Sequence, residues 1–236
     1  MRREVIVAGI VLAGALPVLA TESQHVVPTA YGNTAGTSTF LGPLSNAQRT
    51  YQLLVHEDQL TDLVGLSLTG LAWRLPASAI APWPTVDAIY GDYDIYLSGS
   101  VAPADRSFTF ADNIVGTQTQ VRSGGLSISA DTYPFGSSPN LFGPTIEFDQ
   151  NWLYSGGHLL VEIRHTGFSG TSRSVDALST STPGYGTQFS AAWTGNYLGT
   201  SGSQGNFSIF QFTAIPAPSA AAVLGLGLVA GLRRRR

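Results

Sequence analysis

The stretch Leu63–Leu75, LVGLSLTGLAWRL, decides how this chain folds. Leu66, Leu68, Gly70 and Ala72 alternate with Ser67, Thr69, Leu71 and Trp73. That period of two belongs to a half-buried strand with one face partly wet. Gly65 and Gly70 within the run predict a bend or bulge, since glycine weakens a strand interior and offers nothing to pack. Shorter runs repeat the theme on either side: RTYQLLV (Arg49–Val55), DYDIYL (Asp92–Leu97) and HLLVEIRH (His158–His165). Further strands are expected at Gly116–Arg122, Leu126–Ala130, Thr145–Phe148, Gln188–Trp193 and Phe207–Ile215. Gly, Pro, Ser and Thr punctuate these runs roughly every ten residues, and no long helical period intervenes. The expected fold is all-β, with about nine to eleven strands in a single jelly-roll-like sandwich.

Two segments fall outside that pattern. His56–Leu60 has the composition of a single helical turn, and Phe108–Val115 of a loop or short turn. Ser169–Gly205 is rich in Ser, Thr and Gly, but Tyr185, Phe189, Trp193 and Tyr197 argue for a packed excursion and against a disordered linker.

The two ends have a different chemistry. Met1-Arg2-Arg3 followed by apolar Val5–Leu19 and the small-residue site Val18-Leu19-Ala20 has the layout of a secretory signal helix over residues 1–20. At the other end, IPAPS (Ile215–Ser219) precedes thirteen residues without a polar side chain, Ala220–Leu232, and then Arg233, Arg234, Arg235 and Arg236. As a helix the apolar stretch reaches about 20 Å at ~1.5 Å per residue, short of a ~30 Å hydrocarbon core unless extended back towards Pro218 or met by a thinned bilayer. The four arginines supply a positive-inside anchor. Both ends then lie on the cytoplasmic side before cleavage, and the domain over residues 21–214 lies outside.

Removing the ends changes the charge. Residues 21–214 hold six arginines against fourteen carboxylates, near −8, where the whole chain carries −3. Nucleic acid is an unsuitable partner for such a surface. The chain has no cysteine, which excludes disulfides, thiolate metal sites and a cysteine nucleophile.

The tail, residues 215–236, resembles the PEP-CTERM sorting signal read by exosortases: a Pro-containing motif, a short membrane helix and an arginine cluster. Ile215, Pro216, Ala217, Pro218 and Ser219 correspond to the motif, with Ala217 where the family usually has Glu. The stretches RTYQLLV, LTGLAWRL, YDIYLSGSVAPADRSFTFADNIVGTQTQVRSG, LLVEIRHTG and QGNFSIFQFTAIPAP are similar to uncharacterised β domains that precede such tails in planctomycete-like bacteria. The resemblance implies signal peptidase and an exosortase-like enzyme as processing partners. It also implies an inner-membrane intermediate and a final place at the cell surface or in the extracellular matrix.

Few residues of the middle suggest chemistry. Asp87, Asp92 and Asp94 are the candidate ligands for a Ca²⁺ ion, the one cofactor the sequence suggests, since Asp92 and Asp94 share a strand face and offer hard oxygen donors. Glu147 and Asp149 have the same spacing, but a glycosidase pair needs an acid whose pKa is raised by burial. His158 and Glu162 face one way on their strand and His165 the other. A metal site would need His56, His158 and His165 to converge, and His165 fits better as a strand-end residue bonded to the Thr166-Gly167 turn. Arg164, Arg173 and Asp176 are candidates for a structural ion pair, and Trp73, Trp83, Trp152 and Trp193 for sugar-stacking platforms. No Gly-x-Ser-x-Gly elbow is present. The expectation is a non-enzymatic structural or interaction protein of the envelope, with exopolysaccharide among its possible partners. A lectin-like carbohydrate-binding module is the alternative, and a glycan-active hydrolase a more distant one.

Overall fold

The computed structural model describes residues 21–217. The first half of the chain supplies β1 (Ser23–Val27), β2 (Ser38–Phe40), β3 (Arg49–Val55), β4 (Leu66–Trp73), β5 (Ala88–Tyr90), β6 (Tyr93–Ser100) and β7 (Ile114–Arg122). The second half supplies β8 (Leu126–Ile128), β9 (Ile146–Leu153), β10 (Leu159–His165), β11 (Val175–Leu178), β12 (Phe189–Thr194), β13 (Ser203–Gln204), β14 (Phe207–Ser208) and β15 (Phe210–Pro216). The helical content among the described residues is a set of 3₁₀ turns of three or four residues. The fold is all-β, as the alternation predicts. None of the described helices is long and apolar enough to cross a membrane. The expected signal helix (1–20) and the expected membrane helix lie outside the described residues.

Two larger sheets carry the domain. One has the order β1-β15-β4-β9, and the other β13-β12-β3-β10-β6-β7. A three-stranded sheet (β14-β11-β2) and a β5-β8 pair complete it. All named strand pairs are antiparallel. The two larger sheets share one contiguous core. It takes Tyr51, Leu53 and Val55 from β3, Ile95 and Leu97 from β6, and Leu159, Val161 and Ile163 from β10; β4 and β15 add Leu68, Leu71, Trp73, Phe210 and Phe212. Each such aliphatic side chain withdrawn from water contributes about 1.5–3 kcal/mol.

The bulge expected in the LVGLSLTGLAWRL run is present. The β4–β9 register shifts between Leu68 and Gly70, and the β4–β15 register shifts at Thr213/Ala214. A Cβ at Gly70 would sit 2.9 Å from the Ile146 carbonyl oxygen, so only glycine lets β9 approach. The bulge also corrects the expected faces. Simple alternation separates Leu68 from Leu71 and Trp73, but the extra residue turns all three into the core.

Most of the expected strands are present with shifted ends. Arg49–Val55 matches, the Leu63–Leu75 run is a strand only over Leu66–Trp73, and Thr145–Phe148 extends to Leu153. The turn expected at His56–Leu60 is a 3₁₀ turn at Glu57–Gln59, capped by the His56 ring accepting from the Asp58 N–H at 3.3 Å. Phe108–Val115 divides into a 3₁₀ turn at Phe110–Asn113 and the start of β7. Phe207–Ile215 is two strands on different sheets, and the second runs to Pro216. The sheet therefore takes up the first two residues of the tail motif, past the expected domain boundary at 214.

Candidate functional site

Alternation on β3, β10 and β6 sends a second set of side chains to the outer face of the six-stranded sheet. Register places Gln52, Glu162 and Tyr96 in one rung and Thr50, Arg164 and Asp94 in the next. These groups bond to one another and to the loops that cover them. Gln52 Nε2 donates to Glu162 Oε2 at 2.6 Å and to the Phe110 carbonyl at 3.1 Å. Asn113 Nδ2 donates to Gln52 Oε1 at 2.7 Å, and Arg164 Nε to Glu162 Oε1 at 2.6 Å. The Arg164 guanidinium lies over the Tyr96 ring. Asp94 accepts from the Gly124 N–H at 3.0 Å and the Tyr197 hydroxyl at 2.5 Å. Burial, and then the Asp94 carboxylate, push the Tyr197 phenol well above its ordinary value. Both carboxylates are consumed in structural hydrogen bonds, the condition buried polar groups must meet.

The outer face of the four-stranded sheet differs. A groove of about 560 Å³ lies beside it, lined by Gln24 and Gln211 from β1 and β15, by Arg74 just past β4, and by Asn33, Leu141 and Phe142. The volume is in the range of ligand clefts. Arg74 is fully buried, and a buried guanidinium must be held. Its Nε donates to Asp176 Oδ2 at 2.8 Å and its Nη2 to the Thr34 carbonyl at 2.7 Å; Nη1 has no hydrogen-bond partner among the described residues. Asp176 also accepts from the Gly36 N–H at 3.0 Å. Burial pushes Asp176 up and Arg74 down, and their mutual attraction only partly offsets it. The Phe142 ring packs on the guanidinium at 5.2 Å.

The amides around this groove are uncommitted. Asn33 and Gln211 make no side-chain hydrogen bond among the described residues, and Gln24 makes only a long one, accepting from Thr213 Oγ1 at 3.4 Å. No carboxylate lines the groove among the described residues. The arrangement offers adjacent amide donors and acceptors beside an apolar wall, with a neutralised cation beneath.

The expected site residues are placed as follows. Asp94 is buried in the circuit above, Asp87 accepts from the Ala130 N–H at 2.9 Å, and Asp92 precedes β6 with its own N–H on Thr166 Oγ1. Among the described residues no three His, Asp or Glu groups come together to hold a metal. His56 and His158 do meet, with ring centroids 4.4 Å apart, and each Nδ1 accepts a backbone N–H. His165 stays apart, bonded to the Gly42 carbonyl and accepting from the Gly167 N–H as the turn reading expected. Glu147 and Asp149 lie exposed on β9, and Asp149 accepts from the Ser123 N–H at 2.7 Å.

The expected ion pair is corrected. Asp176 pairs with Arg74, Arg164 with Glu162, and Arg173 donates to the Ala81 carbonyl. Trp73 and Trp83 are core residues, and Trp152 and Trp193 are half-buried on different sheets, so the tryptophans share no open platform. Of the tail motif, Ile215 and Pro216 pair with Ser67 and Leu66 and Ala217 follows; Pro218, Ser219 and Arg233–Arg236 lie outside the described residues.

No protein-family model and no curated protein matches this chain. The groove was missed from the sequence because its residues come from four distant parts of the chain. Only Arg74, an arginine directly after an apolar strand, carried a local signal.

Proposed function

We propose that this chain is an exported, jelly-roll-like β-sandwich sorted to the cell surface by an exosortase-type system, where it serves as a non-enzymatic interaction component of the extracellular matrix. We further infer that it touches polysaccharide through the groove on its four-stranded sheet. The observation that carries this reading is the row of uncommitted amides, Gln24, Asn33 and Gln211, beside Leu141 and Phe142. A side-chain amide presents a donor and an acceptor together, which suits neighbouring sugar hydroxyls. An apolar wall suits the C–H face of a pyranose ring. The terminal segments support the address, and the acidic surface of the domain supports a partner other than nucleic acid.

The test is a glycan array, followed by affinity electrophoresis in gels containing the hits. Retention by a defined polysaccharide, lost on Gln211→Ala, supports the groove reading; no retention by any glycan leaves a purely structural matrix role. Repeating the measurement with Ca²⁺ and with chelator separates the groove from a cation-assisted site at Asp87, Asp92 and Asp94. Retention that vanishes with chelator and ignores Gln211→Ala favours the aspartates. Cell fractionation tests the address: full-length protein that stays soluble in the cytoplasm defeats it.

A further inference from the structure

β1 and β15 are neighbours in the four-stranded sheet, and Ser23 lies opposite Ala214. The chain therefore comes into the domain at the same end of the sheet from which it departs. β15 leaves beside the beginning of β4, with Ile215 opposite Ser67 and Pro216 opposite Leu66. β9 finishes at that end too: Leu153 lies opposite Ser67, the Tyr154 N–H donates to the Leu66 carbonyl, and the Gly65 N–H donates to the Tyr154 carbonyl. Antiparallel pairing has thus gathered four strand ends at one pole.

The surface at this pole carries exposed apolar side chains. Val64 is 53 % exposed and Leu153 54 %, and Leu66, Trp152 and Ile215 beside them are half-buried. The sequence places both apolar segments of the chain next to it. Val5–Leu19 ends shortly before Ser23, and only Ala217, Pro218 and Ser219 separate Pro216 from the apolar run that begins at Ala220. Three residues span at most about 10 Å. A domain on so short a leash cannot turn its far end to the bilayer that holds the tail.

We propose that this pole is a membrane-facing surface, resting on the outer side of a phospholipid bilayer with Val64 and Leu153 in its interfacial layer. The proposal rests on reading Ala220–Leu232 as membrane-inserted. Two aliphatic side chains alone would hold a domain only fleetingly. The tether supplies the effective concentration that makes a weak contact persistent. Glu22 and Asp62 are exposed near the pole, so a zwitterionic surface suits it better than an anionic one.

The absence of cysteine makes the test clean. Single Val64→Cys, Leu153→Cys and Ile80→Cys variants of the full chain are labelled with an environment-sensitive fluorophore and reconstituted in phosphatidylcholine vesicles. Ile80 is 86 % exposed and follows the opposite end of β4, so it reports the far pole. The expected result is blue-shifted emission at positions 64 and 153, with several-fold protection from aqueous iodide relative to position 80. Equal iodide access at all three positions in protein that floats with the vesicles overturns the membrane-facing pole and leaves the anchor intact. Protein that does not float overturns the anchor, and this proposal with it.

Discussion

The outer face of the six-stranded sheet closes its polar groups into hydrogen-bond circuits, whereas that of the four-stranded sheet leaves amides open above a groove. Both faces arise from the same period-two alternation. The difference lies in what the loops do. The Phe110–Asn113 turn and the Asn196–Tyr197 segment fold over the six-stranded sheet and bond to Gln52, Thr50 and Asp94. Over the four-stranded sheet, Leu141, Phe142 and Asn33 line a groove together with Gln24 and Gln211, and among the described residues no loop bonds to the Gln211 amide. A cluster of polar residues on a sheet is therefore no guide to binding. What distinguishes a site is polar groups left without internal partners, over a floor too well held to collapse.

The floor gives the largest expected effect. Asp176→Ala leaves the Arg74 guanidinium buried with one carbonyl acceptor, and losing one partner of a buried pair costs about 3–5 kcal/mol. Urea denaturation would show it as a lower midpoint with an unchanged slope. A loss under ~1 kcal/mol would mean that the groove is not built on this pair, and the contrast between the faces would weaken.

The core between the sheets carries the next effect, through His165. Burial lowers its pKa to about 4 against the pull of the Gly42 carbonyl, and Arg49 lowers it further. The unfolded ring titrates near 6.5, so between about pH 6.5 and 4 the unfolded chain binds a proton that the fold excludes. Stability then falls as pH drops through that window and levels off below about 4, for a total on the order of 3 kcal/mol. Denaturation midpoints at pH 7, 5.5 and 4 would show the slope, and His165→Gln should flatten it.

On the closed face, Glu162→Gln should cost less than Asp176→Ala. Arg164 is about a quarter exposed, where Arg74 is almost fully enclosed. Water can therefore replace part of what the Arg164 guanidinium loses, and the amide keeps some of the circuit. The expected loss is about 1–2 kcal/mol by the same denaturation. A loss equal to that of Asp176→Ala would put the two faces on one footing.

How much of this was legible in the sequence follows from distance along the chain. The long runs RTYQLLV, LTGLAWRL and HLLVEIRH read as strands because period two is a local property. The bulge was legible from Gly70, yet its consequence was not: which of Leu68, Leu71 and Trp73 faces inward depends on β9 and β15 as partners. Strands β2, β5, β13 and β14 are two or three residues long, too short to show any period. His165 was legible from its strand end. Asp176 was given the wrong arginine because Arg74 lies 102 residues away, and only the folded sheets bring them together. The groove amides carried no signal, since an isolated Gln in a strand looks like any wet-face residue.

The smallest effect on stability separates the two faces most sharply. Gln211→Ala removes an amide with no hydrogen-bond partner among the described residues, so its cost to the fold should stay within ~0.5 kcal/mol. Tyr197→Phe, on the closed face, removes a hydroxyl bonded to Asp94 and should cost about 1 kcal/mol. Glycan retention should respond in the opposite order. A hydrogen bond from an uncommitted amide is worth about 0.5–1.5 kcal/mol, a roughly two- to tenfold loss of affinity for Gln211→Ala. Tyr197→Phe should leave retention unchanged. If instead Tyr197→Phe weakens retention and Gln211→Ala does not, the ligand sits on the six-stranded face after all, and the open amides above Arg74 are solvated surface.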